Sequence, residues 1–189
     1  SSVEARDYSD SAIKTANENH QIEGLSFSVA SIEDTQGEYD CIVMQEVIEH
    51  TDDPFATINK LSQHLKPAGH IILTCPSFLN IRGYVWMTLQ SLFDVPMSLT
   101  DKHFISPFDM QEWAEKLNLG LTWHTFRQEQ AVGEGMVFDM KKRLTNALRD
   151  AEMDNSKVDL LLEWLLKASV HEADSKSNGA KALYNFTKS

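Results

Sequence analysis

Short apolar runs along the chain alternate with segments in which apolar side chains recur every three or four positions, the two periods that separate strands from amphipathic helices. Residues 3 to 7 form a short alternating stretch ending in an acid, and Ser9 is placed to cap a helix carrying Ala12, Ile13 and Ala16 on one side and stopping before Gly24. Residues 25 to 30 read as a second strand and 31 to 38 as a polar connection. Residues 39 to 44 form a nearly continuous apolar strand of the kind buried on both faces of a parallel sheet. Asp53 with Pro54 behind it opens a helix whose Phe55, Ile58, Leu61 and Leu65 face a core, until Lys66-Pro67-Ala68-Gly69 ends it. Residues 71 to 75 are the next buried strand. Strands separated by helices of about a dozen residues imply right-handed crossovers and an α/β, doubly wound, mostly parallel sheet.

The second half is less regular. An apolar-rich helical insert with Tyr84, Trp86, Met87, Leu89, Leu92, Phe93 and Met97 spans 78 to 99, and Ser106-Pro107-Phe108-Asp109 opens a capped helix ending near Gly120. Residues 121 to 127 read as a strand, 137 to 170 as two amphipathic helices joined around Asp154-Asn155-Ser156, and 180 to 188 as a final strand. The strands ending at Asp7, Ala30, Met44 and Cys75 are expected to run parallel and the one near Ala182 antiparallel. Gly133-Glu134-Gly135 carries an acid between its glycines and reads as a hinge rather than a phosphate-cradling loop.

Composition narrows the partners. A chain of 189 residues, 42% apolar and 24% charged, is of the size and mix of one globular domain. Twenty-eight acids against seventeen bases give −11, so a grip on nucleic-acid backbone is disfavoured, and Lys141-Lys142-Arg143 reads as a solvated helix face. Cys41 and Cys75 both lie in apolar runs, which indicates neither a disulfide framework nor a Cys-based zinc site. No apolar run approaches the roughly 20 residues of a membrane span, and residues 1 to 7 carry no basic-then-apolar targeting pattern. The expected location is cytoplasmic.

Glu46, Glu49 and His50 are the residues with the most chemistry. On a helical turn their spacings of three and four put them on one face. Two carboxylates and an imidazole suit a hard or borderline divalent ion such as magnesium, manganese or zinc. His50 or His103 could equally serve as a metal-free general base.

Residues 38 to 50 (Glu-Tyr-Asp-Cys-Ile-Val-Met-Gln-Glu-Val-Ile-Glu-His), Asp53-Pro54, residues 65 to 76 (Leu-Lys-Pro-Ala-Gly-His-Ile-Ile-Leu-Thr-Cys-Pro) and residues 102 to 108 (Lys-His-Phe-Ile-Ser-Pro-Phe) together carry a likeness. In that order and spacing the chain resembles the class I S-adenosylmethionine-dependent methyltransferases, particularly the branch containing the ubiquinone-pathway O-methyltransferases. Ala68 stands where that family usually has the first glycine of a Gly-Gly turn. The resemblance implies a Rossmann-like fold that binds S-adenosylmethionine. Asp7 would accept the ribose hydroxyls at a strand's carboxyl end, Ser31 and Ile32 would flank the adenine, and Gln45 would face the methionine end. It also implies that Glu46, Glu49, His50 and His103 hold a metal which lowers the pKa of the attacking hydroxyl. Stretches 78–105, a lid over the acceptor, and 131–178 would be helical inserts in the partial methyltransferase domain that residues 1 to 189 make up.

The family's first strand and its glycine-rich turn have no counterpart in these residues, so a longer native chain is expected. The implied activity is methyl transfer to an oxygen, less readily a nitrogen, of a small-molecule acceptor. The alternatives are an RNA 2′-O-methyltransferase, which shares the Glu-Glu-His set, and a catalytically inactive methyltransferase-like binding module.

Overall fold

A computed structural model of the chain describes residues 2–95, 101–126, 132–172 and 175–189. The expected insert residues Met97 and Leu99 and the expected strand end Arg127 lie outside them. The chain divides into two units, 1–38 and 39–189.

In the first unit β1 (Val3–Asp7) and β2 (Leu25–Val29) pair in parallel, Val3 opposite Leu25 and Asp7 opposite Val29, across α1 (Asp10–Asn19). The α1 cap is the expected one: Ser9 Oγ accepts the Ala12 N–H at 3.3 Å, and Ile13 is the buried position of the helix.

The second unit is built on a four-stranded sheet in the order β3-β4-β6-β5. β3 (Tyr39–Gln45) lies parallel to β4 (Leu65–Pro76), while β6 (Lys181–Lys188) runs antiparallel to both β4 and β5 (Leu119–Phe126). β1 and β2 are parallel to each other, as are β3 and β4, and β6 is antiparallel to its neighbours, each as expected; among the described residues the two parallel pairs lie in separate sheets and not in the one sheet expected. The class is α/β, with two parallel and two antiparallel pairings among the described residues. α2 (Pro54–Gln63) joins β3 to β4, capped by Asp53 with Pro54 at its first position. α3 (Ile81–Phe93) and α4 (Pro107–Leu117) lie between β4 and β5; α5 (Gly133–Asp150) and α6 (Val158–Ser169) lie between β5 and β6. No helix among the described residues is long and apolar enough to cross a membrane.

Three local expectations are corrected. The strand expected from residue 71 begins at Leu65, because Tyr39 donates to the His64 carbonyl at 2.8 Å and pairs with Leu65 before the register jumps to Cys41 opposite His70. The residues of β4 between those pairs bulge, and Ala68 there takes φ +60°. β3 is not buried on both faces: it pairs on one side only, Cys41 is exposed and Val43 is 69% exposed. Gly133-Glu134-Gly135 is no hinge but the first turn of α5, with Val132 as its N-cap.

α3, α5 and α6 share a core of their own. Trp86 of α3 meets Met136, Met140 and Leu144 of α5 and Val158, Leu162 and Leu165 of α6, all buried.

Ala68 is exposed, so its side chain contributes no packing to set against its left-handed backbone, which costs an L-residue about 1–2 kcal/mol. After the entropy glycine returns to the unfolded chain, Ala68→Gly should raise stability by about 0.5–1 kcal/mol in urea denaturation. A loss of stability would mean that the bulge relies on the methyl group.

Candidate functional site

The carboxyl ends of β3 and β4 are where a parallel pair offers ligand-binding loops, and the candidate residues of the second unit gather around them. Gln45, the last residue of β3, is exposed and sits opposite Thr74. Glu46 follows with φ +54°, its N–H donating to the Thr74 carbonyl at 3.0 Å. A non-glycine residue held there stores strain, a feature that concentrates at functional sites. Its Oε2 lies 3.2 Å from Lys181 Nζ at the start of β6, while Oε1 is buried with no hydrogen-bond partner.

Residues Ile48–His50 form a single 3-10 turn, and Ile48 and Glu49 are buried in it. Glu49 is 2% exposed and its Oε2 has no partner. Burial pushes its carboxyl up to about 7; the Glu46 charge adds to this and the residue's own backbone N–H opposes it. His50 points outward, with Nδ1 3.6 Å from Asp101 Oδ1. The segment carrying His103 runs beside this turn: Lys102 N–H donates to the Glu49 carbonyl at 3.0 Å, and His103 Nε2 donates to the Thr51 carbonyl at 2.9 Å. That bond leaves Nδ1 as the acceptor of the neutral ring. His103 lines an open cleft with Asp53, Phe55, Phe104, Asp109 and Trp113.

The expected metal cage does not assemble. Glu46 precedes the turn in a left-handed conformation, Glu49 is turned inward and His50 outward, so the three do not share the face an α-helical turn would give them. Glu46 is paired with Lys181 and His103 with a backbone carbonyl. Among the described residues no group of three His, Cys, Asp or Glu is placed to hold a metal ion.

In the first unit Asp7 is exposed at the end of β1, with Oδ1 accepting the Ser9 N–H at 2.8 Å. Ser31 is committed to a local capping box: its hydroxyl donates to Asp34 Oδ2 at 3.0 Å and accepts from the Glu33 N–H at 3.1 Å. Ile32 is half-buried beside it. Reading the sequence missed Lys181, Asp101 and Arg82. Arg82 had a signal, being the sole charged residue from 74 to 93. Lys181 had none, since only sheet pairing brings it to Glu46.

A model of the methyltransferase domain matches residues 1–131. The chain belongs to the methyltransferase-domain family. Within that family it is 23% identical over 112 residues to a ubiquinone biosynthesis O-methyltransferase of Dechloromonas aromatica, covering 54% of this chain and 48% of that one. The chain spans about half the length of the curated relatives it matches. Among solved structures, an S-adenosylmethionine-dependent methyltransferase from Mesorhizobium loti superposes with TM-score 0.58 at 11% identity, over all of this chain and 81% of that one. The [4+2]-cyclase SpnF superposes with TM-score 0.55 at 12% identity, over 99% of this chain and 66% of that one. The Rossmann-like methyltransferase fold is therefore shared, but the fold does not by itself choose the reaction.

The buried Glu49 carboxyl ties stability to pH. Its folded-state value of about 7 stands above the ordinary 4.5, so folding favours the protonated form. That stabilisation is complete below about pH 4.5 and is lost as pH rises through 7, where the buried charge costs on the order of 1–3 kcal/mol. Glu49→Gln should therefore match the parent protein near pH 4.5 and exceed it in stability at pH 8 in guanidinium titrations. An equal difference at both values would contradict the buried acid.

Proposed function

We propose that the complete protein transfers the methyl group of S-adenosylmethionine to an oxygen of a small-molecule acceptor, with Glu49 receiving the acceptor's proton. The observation that carries this reading is the buried Glu49 carboxyl, one oxygen without a partner, at the carboxyl end of β3. A base with a value near 7 is well matched to removing a hydroxyl proton at neutral pH. S-adenosylmethionine, when bound, supplies the electrophilic methyl on a sulfonium. The chain's own residues orient the acceptor, exclude water and take the proton. Asp7 is suited to hold the ribose hydroxyls, with Ser31 and Ile32 beside the adenine, and Gln45 is suited to a main-chain contact with the methionine end. The similarity to O-methyltransferases of ubiquinone biosynthesis favours oxygen over nitrogen. The charge of −11 favours a small molecule over RNA.

A second assignment of the proton acceptor is His103, because it lines the aromatic-walled cleft and its Nδ1 is the acceptor nitrogen. Neither assignment routes a step through a metal.

The test follows labelled methyl transfer from S-adenosylmethionine to catechol and to aniline by the full-length protein. Catechol should be methylated in preference, with kcat/KM rising through about pH 7 and levelling above it. Glu49→Gln should remove that rise and lower kcat by about 10²–10⁴-fold, whereas His103→Gln should keep it. Excess chelator should leave the rate unchanged. Loss of activity in chelator, restored by magnesium, manganese or zinc, would reinstate the metal. A pH rise that survives in Glu49→Gln and disappears in His103→Gln would pass the proton to the histidine.

A further inference from the structure

The β4 strand ends at Pro76, and the chain turns immediately into α3. Ser77 N–H donates to the Ala180 carbonyl at 2.8 Å. Asn80 caps α3 by accepting the Gly83 N–H at 2.8 Å, and its amide donates to the carbonyls of Ser77 and Gly179, both at 3.0 Å. Gly83 is required here, since a Cβ on it would meet the Phe78 carbonyl oxygen at 2.2 Å. This close approach encloses a cleft lined by Pro76, Ser77, Phe78, Arg82, Gly83 and Trp86, with room of about 10 Å3 for the centre of a water-sized group.

Three polar groups of that lining are buried without a hydrogen-bond partner: Ser77 Oγ, Arg82 Nε and Trp86 Nε1. Ser77 is 5% exposed and Trp86 is fully buried. A buried polar group without a partner costs about 1–3 kcal/mol, so three on one cleft call for an occupant. Arg82 Nε–H and the indole N–H can only donate, and the serine hydroxyl can donate. An ammonium group, which also only donates, would find only the serine hydroxyl as an acceptor among these three. Asp139 is shared between two guanidinium groups: its Oδ1 accepts from Arg143 Nε at 2.9 Å, and its Oδ2, buried without a hydrogen-bond partner, lies 3.4 Å from Arg82 Nη2. The remaining acids facing this region are Asp101, whose field reaches Arg82, and Glu172, whose Oε1 accepts the Ile81 N–H at 3.1 Å.

We infer that the cleft lined by Ser77, Arg82 and Trp86 is a subsite for one oxygen of a carboxylate, which their unpartnered donors at the start of α3 would hold. It deepens the proposed function, on whose reading the carboxylate belongs to the methyl acceptor. The binding can nevertheless be read without any transfer.

The chain has four tryptophans, whose indole N–H signals appear in the 15N-labelled full-length protein beside those of any tryptophan outside these residues. That of Trp86 is the signal lost in Trp86→Phe and kept in Trp113→Phe, Trp123→Phe and Trp164→Phe. Titration with benzoate should move this signal saturably at millimolar concentration, and equal concentrations of benzylamine or sodium chloride should not. Arg82→Gln should weaken the benzoate effect about tenfold or more, Ser77→Ala by a smaller factor, each with the other three indole signals unchanged. An immobile Trp86 signal, an equal response to benzylamine, or an undiminished response in folded Arg82→Gln would overturn the subsite. Methyl transfer to catechol, which lacks a carboxylate, tests the enzyme reading independently.

Discussion

The pairing of β4 with β6 is the constraint on which the larger unit depends. Ile71, Leu73 and Cys75 of β4 and Ala182, Tyr184 and Phe186 of β6 have no exposed surface, and they alternate with partly exposed neighbours along a ladder from His70 opposite Thr187 to Pro76 opposite Lys181. A slip of one residue would turn every one of these side chains to the wrong face, so the register is strongly specified. Burial also pushes the Cys75 thiol far up, which leaves it an apolar core group and not a nucleophile. The register sets where β6 begins, and this puts the Lys181 ammonium against Glu46 and the Ala180 carbonyl against Ser77. The other edge of β6 is tied down in turn: the Gly179 N–H donates to Thr125 Oγ1 at 2.7 Å, at a place where a Cβ would meet the Phe126 carbonyl oxygen at 2.2 Å.

From that frame two chemically opposite places arise beside the end of β4. One carries acids: Glu46 in a strained left-handed conformation and partly neutralised by Lys181, and Glu49 driven toward its protonated form by burial. The other carries donors: the serine, guanidinium and indole at the start of α3. On the proposed reading the first place takes the acceptor's proton and the second holds one of its oxygens, the division of labour that methyl transfer to a hydroxyl asks of a protein, because the leaving group and the reactive methyl come with the cofactor. The unpartnered oxygen of Glu49 and the backbone of Glu46 lower stability locally, as functional residues often do.

What the sequence made legible was local. Ser9, Asp53 with Pro54, and Ser106 with Asp109 cap their helices as the spacing implied, because a cap is decided within four residues. The strands themselves and the parallel direction within the crossover-linked pairs followed from the alternation of short apolar runs with amphipathic segments, whereas the placing of β6 between β4 and β5 did not. The early start of β4 and the exposure of Val43 were not legible, since both depend on which strand lies alongside. In the site, the Glu-x-x-Glu-His spacing was visible but its geometry was not. The spacing assumed a turn of α-helix, whereas the chain takes a left-handed residue and then one 3-10 turn, which separates the three side chains. Lys181 reaches Glu46 through a contact 135 positions away in sequence, which no local period reports.

The central claim, that this chain is part of a protein that binds S-adenosylmethionine to use its methyl group, is tested most directly by calorimetry of the full-length protein. The account predicts one-site binding of S-adenosylmethionine with a Kd in the micromolar range, about −8 kcal/mol, displaced competitively by S-adenosylhomocysteine. A folded full-length protein that takes up neither compound at millimolar concentration would contradict it and leave a methyltransferase fold serving as a binding module.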